Sequence, residues 1–514
     1  MKTFWDFCNE APDEVAIVEV DGSSWSRGSV GRGSCQIRDY LVSRDVGVGV
    51  AVAIVAPNCA EFLIGYLGIT MCGARAVPVN FHLAPDEVGH ILRTSNARIV
   101  LVASGVITKI DSILNNNFHS DRPPLAVAIE SLLDDKGLEQ GAIGGLSIPV
   151  PPVLGRTMLF TSATTGRPKA IRYSDDNAYE SLANLIRFRE HMGMRVNSGV
   201  VHLCVAPLYH AGPLEGATVT LHMGNTVVLM RTWEVRSALK VIEKHRVTHA
   251  FLVPVMIAQL SKISCEERSA YDTSSLRVIM HAGAPCPREA KRDVISWLGP
   301  IVYESYGASE GGGTFTNSDE WLKYPGTVGR AIPGAEISIR GLSGERLPAN
   351  TEGRIFIRSY SGGRFEYVGE KALTDASFCG DHFTVGDIGY INEEGYLFIS
   401  GRSTDLILCG GANIYPAEIE AVLSDHPGVA DCAVIGRPDD NFGEVVHALV
   451  QPTSEWTGAE DELSTDIVRH AYKRLAPMKL PRTYEFVSKL PRDPNGKLIR
   501  RYLEHAPVSS VPHS

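Results

Sequence analysis

Paired cysteines, long apolar runs and an excess of positive charge are all missing from this sequence of 514 residues. The ten cysteines lie far apart, and no two of them form a C-x-x-C pair. Zinc-ribbon and thioredoxin-like sites need such pairs and are therefore not indicated. Scattered thiols are typical of a reducing compartment. We expect cysteines such as Cys72 and Cys409, which have apolar or Gly-rich neighbours, to pack in the interior rather than react.

The charge balance and the hydropathy pattern exclude two further classes of protein. A formal net charge of −10 argues against a general nucleic-acid-binding protein, whose affinity depends on basic patches. The longest apolar region, residues 47–79, is interrupted by Gly, Pro, Asn and Glu. It predicts a strand at 50–56, a helix at 60–72 and a second strand, not a membrane span. The start, MKTFWDFCNE, lacks a signal-peptide pattern, so we expect a cytoplasmic protein. A loose peripheral membrane association and a homodimer stay open.

The chain is too long for one hydrophobic core and predicts at least two domains. Short Val-, Ile- and Leu-rich runs alternate with helical patterns over the first 400 residues. This alternation predicts an α/β fold of mostly parallel sheets covered by helices on both faces. A small β element is expected near residues 326–357. We therefore predict a large domain at 1–400 and a small mobile α+β domain at 401–514.

The stretch LFTSATTGRPKAIRYS, residues 159–174, is rich in hydroxyl side chains and contains a glycine and a lysine. Hydroxyls, backbone N–H groups and a lysine suit phosphate oxygens. The spacing does not match G-x-x-x-x-G-K-[ST], so a Walker loop is excluded. A Ser/Thr-rich surface turn is the alternative reading.

Four further motifs follow in order: YGASE, GDIGY, GRSTDLI with GGANIYPAEIE, and PNGK. Together with the hydroxyl-rich loop, they resemble the adenylate-forming superfamily, and within it the acyl-CoA synthetases. The resemblance runs from the first sheets to Lys497. Any one of the motifs would be a weak signal, whereas five in the family's order are a strong one.

The resemblance implies a nucleotide site that uses ATP and Mg²⁺. The mobile phosphate loop would comprise Thr161, Ser162, Thr164, Thr165, Gly166 and Lys169. The chain departs from the family's usual glycines there at Ala163 and Ala170. Segments flanking the adenine would be Gly283, Ala284 and Pro285, with Tyr306 stacked on the base and Gly307 beside it. Ser309 would contact the α-phosphate, Glu310 would hold Mg²⁺, and Asp387 and Arg402 would contact the ribose.

The resemblance also implies the catalytic groups. Lys497 would reach from the small domain to the carboxylate and the α-phosphate, where negative charge shifts in the transition state. His210 would gate or line the acid pocket, although a structural histidine at a helix start is the alternative. Gly410 and Gly411 would line a pantetheine tunnel. Residues 401–405 would form the hinge, where Thr404 replaces the usual Asp or Lys.

The implied activity is an AMP-forming acid–thiol ligase with CoA as the co-substrate. Apolar walls are expected from Leu208, Met223, Val253, Pro254 and Met256, with His281 and Gly283 opposite. These walls suggest a hydrophobic acid of fatty, alicyclic, aromatic or steroid type, although plain core packing is the alternative. Two other functions stay open. The acyl group could pass to the pantetheine of a carrier protein, or the chain could be a non-catalytic nucleotide-binding relative, as the departures at Ala163, Ala170 and Thr404 would allow.

Overall fold

Six parallel strands at the centre of one large sheet dominate the computed structural model of the chain. The structure describes residues 1–118, 123–133, 147–161, 168–174, 177–341, 343–360, 363–410, 412–439, 441–493 and 496–503. In spatial order this nine-stranded sheet contains Arg330–Ala331, Gly311–Thr316, Val302–Ala308, Val278–His281, His249–Leu252, Val201–Cys204, Thr226–Leu229, Val15–Glu19 and Ser24–Ser26. The outer pairs at both edges are antiparallel.

Three smaller sheets complete the part of the large domain that the structure describes. A parallel sheet contains Arg75–Pro78, Ala51–Val55, Ile99–Val102 and Leu125–Ala128. An antiparallel sheet contains Phe365–Tyr367, Lys169–Tyr173 and Leu159–Thr161. A third sheet is antiparallel and has six strands of different lengths. It contains Phe378–Cys379, His382–Phe383, Gly353–Arg358, Asp387–Ile391 and Leu397–Arg402, with Glu336–Arg340 paired to Gly353–Arg358.

The small domain has its own sheet and its own core. Its strands are Ala412–Ile414, Ile407–Cys409, Gly443–Pro452, Val429–Asp439 and Thr483–Phe486. Two helices, Pro416–Ser424 and Glu460–Tyr472, cover it, and their apolar faces (Ile419, Leu423, Leu463, Ile467) are buried against the strands.

Helices lie against the sheets of the large domain, as the alternating sequence pattern predicts. They are Phe4–Glu10, Arg27–Val42, Ala60–Met71, Pro85–Ser95, Ile107–Asn117, Ala178–His191, Ala211–His222, Val235–His245, Pro254–Ser261, Cys265–Arg268, Arg288–Leu298, Ser318–Lys323 and Lys371–Ala376. Single 3₁₀ turns occur at Ser104–Val106, Glu130–Leu132, Ser454–Trp456, Pro477–Lys479 and Arg500–Tyr502. Side-chain caps fix several starts, as at Glu234, whose carboxylate accepts hydrogen bonds from two backbone N–H groups.

A buried asparagine joins the first parallel sheet to the nine-stranded sheet. The Asn58 side chain donates to the carbonyls of Ala206 (3.1 Å) and Met230 (3.0 Å) and accepts from the backbone N–H of Leu208 (2.9 Å). A buried amide with all its partners satisfied stabilises a single geometry, because leaving any of these groups unpaired would be costly. The loop that carries Tyr209 and His210 is therefore held in a fixed position.

The predicted fold class is confirmed. The strand predicted at 50–56 is Ala51–Val55, and the helix predicted at 60–72 is Ala60–Met71. The expected small β element near 326–357 joins the sheet that also holds Asp387–Ile391. The domain boundary after residue 400 stays a prediction, and the strand Leu397–Arg402 crosses it.

The sequence predicts no paired cysteines and no membrane span, and both expectations can be compared with the structure. All ten cysteines carry free thiols. Among the described residues, none of the helices combines the length and the apolar character needed to cross a membrane.

A buried histidine makes the stability of the large domain dependent on pH. Burial lowers the pKa of His222 to about 4. Its Nδ1 lies 3.4 Å from the backbone N of Phe4, which donates to it, and its ring packs edge-on against Trp5. The unfolded chain takes up a proton below about pH 6.5, whereas the folded state does not. The stability from this group is therefore complete above about pH 6.5 and is lost as the pH falls towards 4.

The His222→Gln variant keeps an acceptor for Phe4 but cannot titrate. We predict that its free energy of unfolding falls between pH 7 and pH 5 by roughly 1–2 kcal/mol less than that of the parent protein. Urea unfolding followed by tryptophan fluorescence measures this difference, with the exposed His191→Gln as the matched control. Equal losses in all three proteins would contradict the prediction.

Candidate functional site

A cleft of about 1820 Å³ opens at the carboxyl ends of the parallel strands of the nine-stranded sheet and is closed on its far side by the small domain. The carboxyl edge of such a sheet is where open α/β folds bind ligands, because loops of several strands converge there. Large-domain residues such as Tyr209 and Glu304 and small-domain residues such as Arg437 and Arg492 line the same cleft.

Ten of the residues expected to contact a substrate line this cleft: Thr161, His210, Gly283, Ala284, Pro285, Tyr306, Gly307, Asp387, Arg402 and Lys497. Four others are described but are not among the lining residues: Lys169, Ser309, Glu310 and Gly410. Ser162, Thr164, Thr165, Gly166 and Gly411 lie outside the described residues. The structure thus brings together residues more than 300 positions apart in the sequence.

Asp387 accepts hydrogen bonds from two of these residues. Its Oδ2 accepts a hydrogen bond of 2.7 Å from the Tyr306 hydroxyl, and its Oδ1 accepts one of 2.9 Å from Arg402 Nε. Asp387 and Arg402 are also direct partners in the antiparallel pairing of their strands. Burial, together with the Asp387 charge, holds the pKa of Tyr306 well above its usual range. The phenol therefore stays protonated and donates to the carboxylate.

Glu310 lies in the turn between the strands Val302–Ala308 and Gly311–Thr316. It is buried, and its Oε1 accepts a hydrogen bond of 2.7 Å from the Tyr367 hydroxyl. The Lys169 ammonium lies 5.9 Å from the centre of the same Tyr367 ring. Burial raises the pKa of Glu310, and the Tyr367 hydrogen bond opposes this shift. Tyr367 thus holds the carboxylate in one orientation.

Lys497 extends from a tight turn of the small domain. The Asp493 carboxylate accepts from the Lys497 backbone N–H (2.9 Å), and the Asp493 N–H donates to the Lys497 carbonyl (2.9 Å). Gly496 has φ +77°, which favours glycine. Burial, with the Arg402 charge, lowers the pKa of Lys497, while the Asp493, Asp387 and Glu310 charges oppose the shift. An anion in the cleft would favour the charged ammonium.

His210 and Tyr209 present polar atoms to the cleft opposite the lysine turn. His210 is the residue before the helix Ala211–His222, so it does lie at a helix start. Its Nε2 and the Tyr209 hydroxyl are buried, and neither has a hydrogen-bond partner within the described part of the chain. Burial and the charge of Lys497 lower the pKa of His210 to about 4, so the ring is neutral near pH 7.

A buried ion pair lies beneath residues 283–285. Lys291 Nζ is 2.6 Å from Glu304 Oε2, and His281 Nε2 is 3.5 Å from the same oxygen. His281 and Glu304 are partners in parallel strands, which explains their proximity. The Lys291 ammonium also lies 4.7 Å from the centre of the Trp321 ring, a favourable cation–π distance. Glu304 lines the cleft, two residues before Tyr306 and on the same strand face.

Comparison with known proteins agrees with this geometry. Residues 4–364 match the AMP-binding enzyme family, and residues 418–497 match the AMP-binding enzyme C-terminal domain. The chain belongs to the AMP-binding enzyme family. The chain is 30% identical over 485 residues to the long-chain-fatty-acid–CoA ligase FadD13 of Mycobacterium tuberculosis, covering 92% of this chain and 91% of the relative.

Two further relatives span nearly the whole chain. The fatty acid–[acyl-carrier-protein] ligase ScoC of Streptomyces coeruleorubidus is 30% identical over 503 residues, covering 96% of this chain and 93% of the relative. The o-succinylbenzoate CoA synthetase MenE of Bacillus subtilis, solved with its acyl-adenylate intermediate, superimposes with a TM-score of 0.82 at 25% identity, covering 99% of both chains.

The predicted family and enzyme class are thus confirmed: this AMP-binding enzyme is an AMP-forming acid–thiol ligase. The roles of individual residues stay predictions. The apolar walls expected from the sequence are placed differently. Leu208 and Met223 lie in one core cluster, Val253 and Met256 lie in another, and none is among the described lining residues.

Several neighbours of the site were not found from the sequence. Tyr367, Lys291 and Glu304 belong to no motif used above, and their partners are distant in the chain or lie on another element. One signal was available for Lys291, because a lysine on the apolar side of a helix, here Arg288–Leu298, suggests a buried partner.

We predict that Asp387→Asn weakens nucleotide binding to this AMP-binding enzyme about 10- to 100-fold. The carboxylate orients Tyr306 and Arg402 and offers charged acceptors on the cleft wall, and hydrogen bonds to charged groups are worth about 1.5–3 kcal/mol. Calorimetric titration with AMP measures the loss. Asp375→Asn, on an exposed helix, should bind AMP as the parent does; parental affinity of Asp387→Asn would refute the prediction.

Proposed function

We propose that this chain is an ATP-dependent ligase that joins a hydrophobic carboxylic acid to CoA through an acyl-adenylate. One observation carries the proposal. Asp387 and Tyr306 on the large domain and Arg402 in the predicted hinge share one cleft with Lys497 on the small domain. An ammonium facing a nucleotide-sized cleft is suited to the first half-reaction, in which two anions must meet.

The nucleotide end of the cleft would be formed by Tyr306 and residues 283–285. Asp387 is acceptor-only when ionised and suits the two ribose hydroxyls, which are donors. Glu304 adds a second acceptor to the same wall, and the 6-amino group of adenine is a matching donor. Lys291 pairs with this buried carboxylate at 2.6 Å.

Glu310 would hold Mg²⁺. Among the described residues, no group of three or more His, Cys, Asp or Glu side chains forms a metal site. A single buried carboxylate, oriented by Tyr367, nevertheless fits Mg²⁺, which commonly takes one or two protein carboxylates together with water and substrate phosphates. The ion supplies neutralisation of phosphate charge.

In the first half-reaction, a carboxylate oxygen of the acid attacks the α-phosphorus of ATP, and the bond to pyrophosphate breaks. The carboxylate is already a nucleophile, so the reaction needs no general base. Lys497 contacts the carboxylate and the α-phosphate as charge moves between them. Neutral His210 lines the acid side without adding a second positive charge. Thr161 lies at the start of the predicted phosphate loop and lines the cleft.

In the second half-reaction, the CoA thiolate attacks the acyl carbonyl and AMP leaves. Lys497 is not needed at this stage, because AMP departs as a stable anion. A rotation of the small domain about residues 401–405 would withdraw the lysine and bring Gly410 and Gly411 to the cleft. Conformational steps of this kind assemble one catalytic arrangement at a time.

We propose that the acid carries an apolar chain or ring. The apolar residues that line the cleft include Leu83, Ile91 and Phe160, and burial of apolar surface against them would stabilise binding by roughly 25 cal/mol per Å². The name of FadD13 supports an acid with an apolar chain. Two 4-coumarate–CoA ligases are 28% identical to this chain over most of its length, and their names support an acid with an apolar ring.

We predict that Lys497→Ala lowers the rate of adenylation by at least 100-fold while thioester formation from supplied acyl-adenylate falls less than about threefold. The two rates are measured separately, by pyrophosphate exchange and by consumption of synthetic acyl-adenylate with CoA. Lys473→Ala, a lysine at the end of the helix Glu460–Tyr472, serves as the control. A parallel fall in both half-reactions would remove Lys497 from the proposed role.

The name of ScoC supports a second acceptor, the pantetheine of an acyl carrier protein. We predict that free CoA alone supports full turnover across a panel of fatty, alicyclic and aromatic acids, measured by thioester formation without any carrier. Adenylation of an acid without transfer to CoA, followed by transfer to a phosphopantetheinylated carrier, would favour the second acceptor. No adenylation of any acid would favour a non-catalytic relative.

A further inference from the structure

The turn that carries Lys497 is held by a neighbouring arginine. Arg492 precedes the turn, and its Nη1 donates to the Gly496 carbonyl at 2.8 Å. Arg492 and Leu498 also pair across the base of the turn. The carbonyl that Arg492 holds belongs to the residue immediately before Lys497. The direction in which the lysine leaves the backbone therefore depends on this contact.

Arg492 is in turn fixed by a carboxylate on the longest strand of the small domain. Its Nε is 2.6 Å from Asp431 Oδ2, and its Nη2 is 2.6 Å from Asp431 Oδ1, a two-point pair of matching planar groups. Nη2 also donates to the Cys432 carbonyl at 3.3 Å. Asp431 lies in the long strand Val429–Asp439, which is paired along its length with Gly443–Pro452. The turn is thereby anchored to the most extensively paired part of the small domain.

The anchored turn also lies against the large domain. A Cβ added at Gly496 would lie 2.7 Å from Val255 Cγ1, in the helix Pro254–Ser261. Lys262, the residue after that helix, donates to the Ala430 carbonyl at 3.4 Å, next to Asp431. The turn therefore lies against the start of this large-domain helix, and the strand that carries its anchor contacts the residue after the helix's other end.

We propose that Arg492, clamped by Asp431, is the positioning residue for Lys497 in the adenylation step. Lysine has a flexible four-carbon stem, and ordering it costs conformational entropy. A turn fixed at its backbone lowers this cost and keeps the ammonium within the narrow distance range that catalysis requires. A displacement of about 1 Å is enough to reduce a rate by about 10²-fold. This inference depends on the proposed function, because it assigns Arg492 a role only through Lys497.

The test is a double-mutant cycle in the full-length enzyme. Arg492→Ala should lower the adenylation rate about 10- to 100-fold and leave thioester formation from supplied acyl-adenylate within about threefold. In the Lys497→Ala background, the same change should lower adenylation by less than about twofold, because the group it positions is already absent. Arg492→Lys should not restore the rate, since an ammonium cannot make the two-point pair with Asp431. Asp431→Asn should resemble Arg492→Ala.

Controls separate positioning from folding and from direct binding. Arg469→Ala removes an exposed arginine of the same domain and should adenylate at the parental rate. Unfolding midpoints of all variants show whether a loss comes from instability, and a parental thioester-forming rate shows that the small domain is still folded. An equal loss from Arg492→Ala with and without Lys497 would overturn the inference, because Arg492 would then act on the substrate itself.

The same data distinguish this inference from the proposed function. Selective loss in Lys497→Ala with parental adenylation in Arg492→Ala would overturn the positioning role alone. A parent enzyme that adenylates no acid would overturn both.

Discussion

The two hydrogen bonds to Asp387 are the interaction on which the rest of the site depends. They join the end of the nine-stranded sheet, through Tyr306, to the last residue of the strand Leu397–Arg402. Arg402 is followed directly by the segment that leads to the small domain. The carboxylate therefore links the wall of the nucleotide cleft to the place where the second domain begins. Its own burial makes both partners necessary, because an unpaired buried charge is strongly destabilising.

Buried polar groups of the site are paired with groups on other helices or strands. Glu310 is paired with Tyr367 from another sheet, and Glu304 is paired with Lys291 from a helix. Low exposure strengthens each interaction, since the surrounding dielectric is low. The same burial lowers the pKa of Lys497 and of His210. The cleft thus offers the Lys497 ammonium and the neutral His210 imidazole to an anionic substrate, with fixed acceptors for its nucleotide.

Contacts that are local in the chain were predicted from the sequence, and contacts between distant elements were not. The resemblance implies that Asp387 and Arg402 share the ribose, and the antiparallel pairing of their neighbouring strands places the two residues side by side. The Asp431–Arg492 pair spans 61 positions and has no motif of its own. Its existence depends on how the last turn folds back on the sheet. The sequence does not show whether residues such as Leu208 and Val253 line a pocket or pack in the core. Both positions favour apolar side chains, so the residue type does not distinguish them.

The order of the motifs in the chain has a physical consequence for catalysis. The groups that contact nucleotide in the proposed site lie in the large domain or, for Arg402, in the hinge, whereas Lys497 comes after the hinge. A lysine on the same rigid domain would stay in the cleft during both half-reactions and would hold AMP when it must leave. A lysine on a separate domain is present only when that domain is docked, so its contribution can be confined to one step. Such a lysine must then be oriented by its own domain, and the Arg492–Asp431 pair provides that orientation from within the small domain.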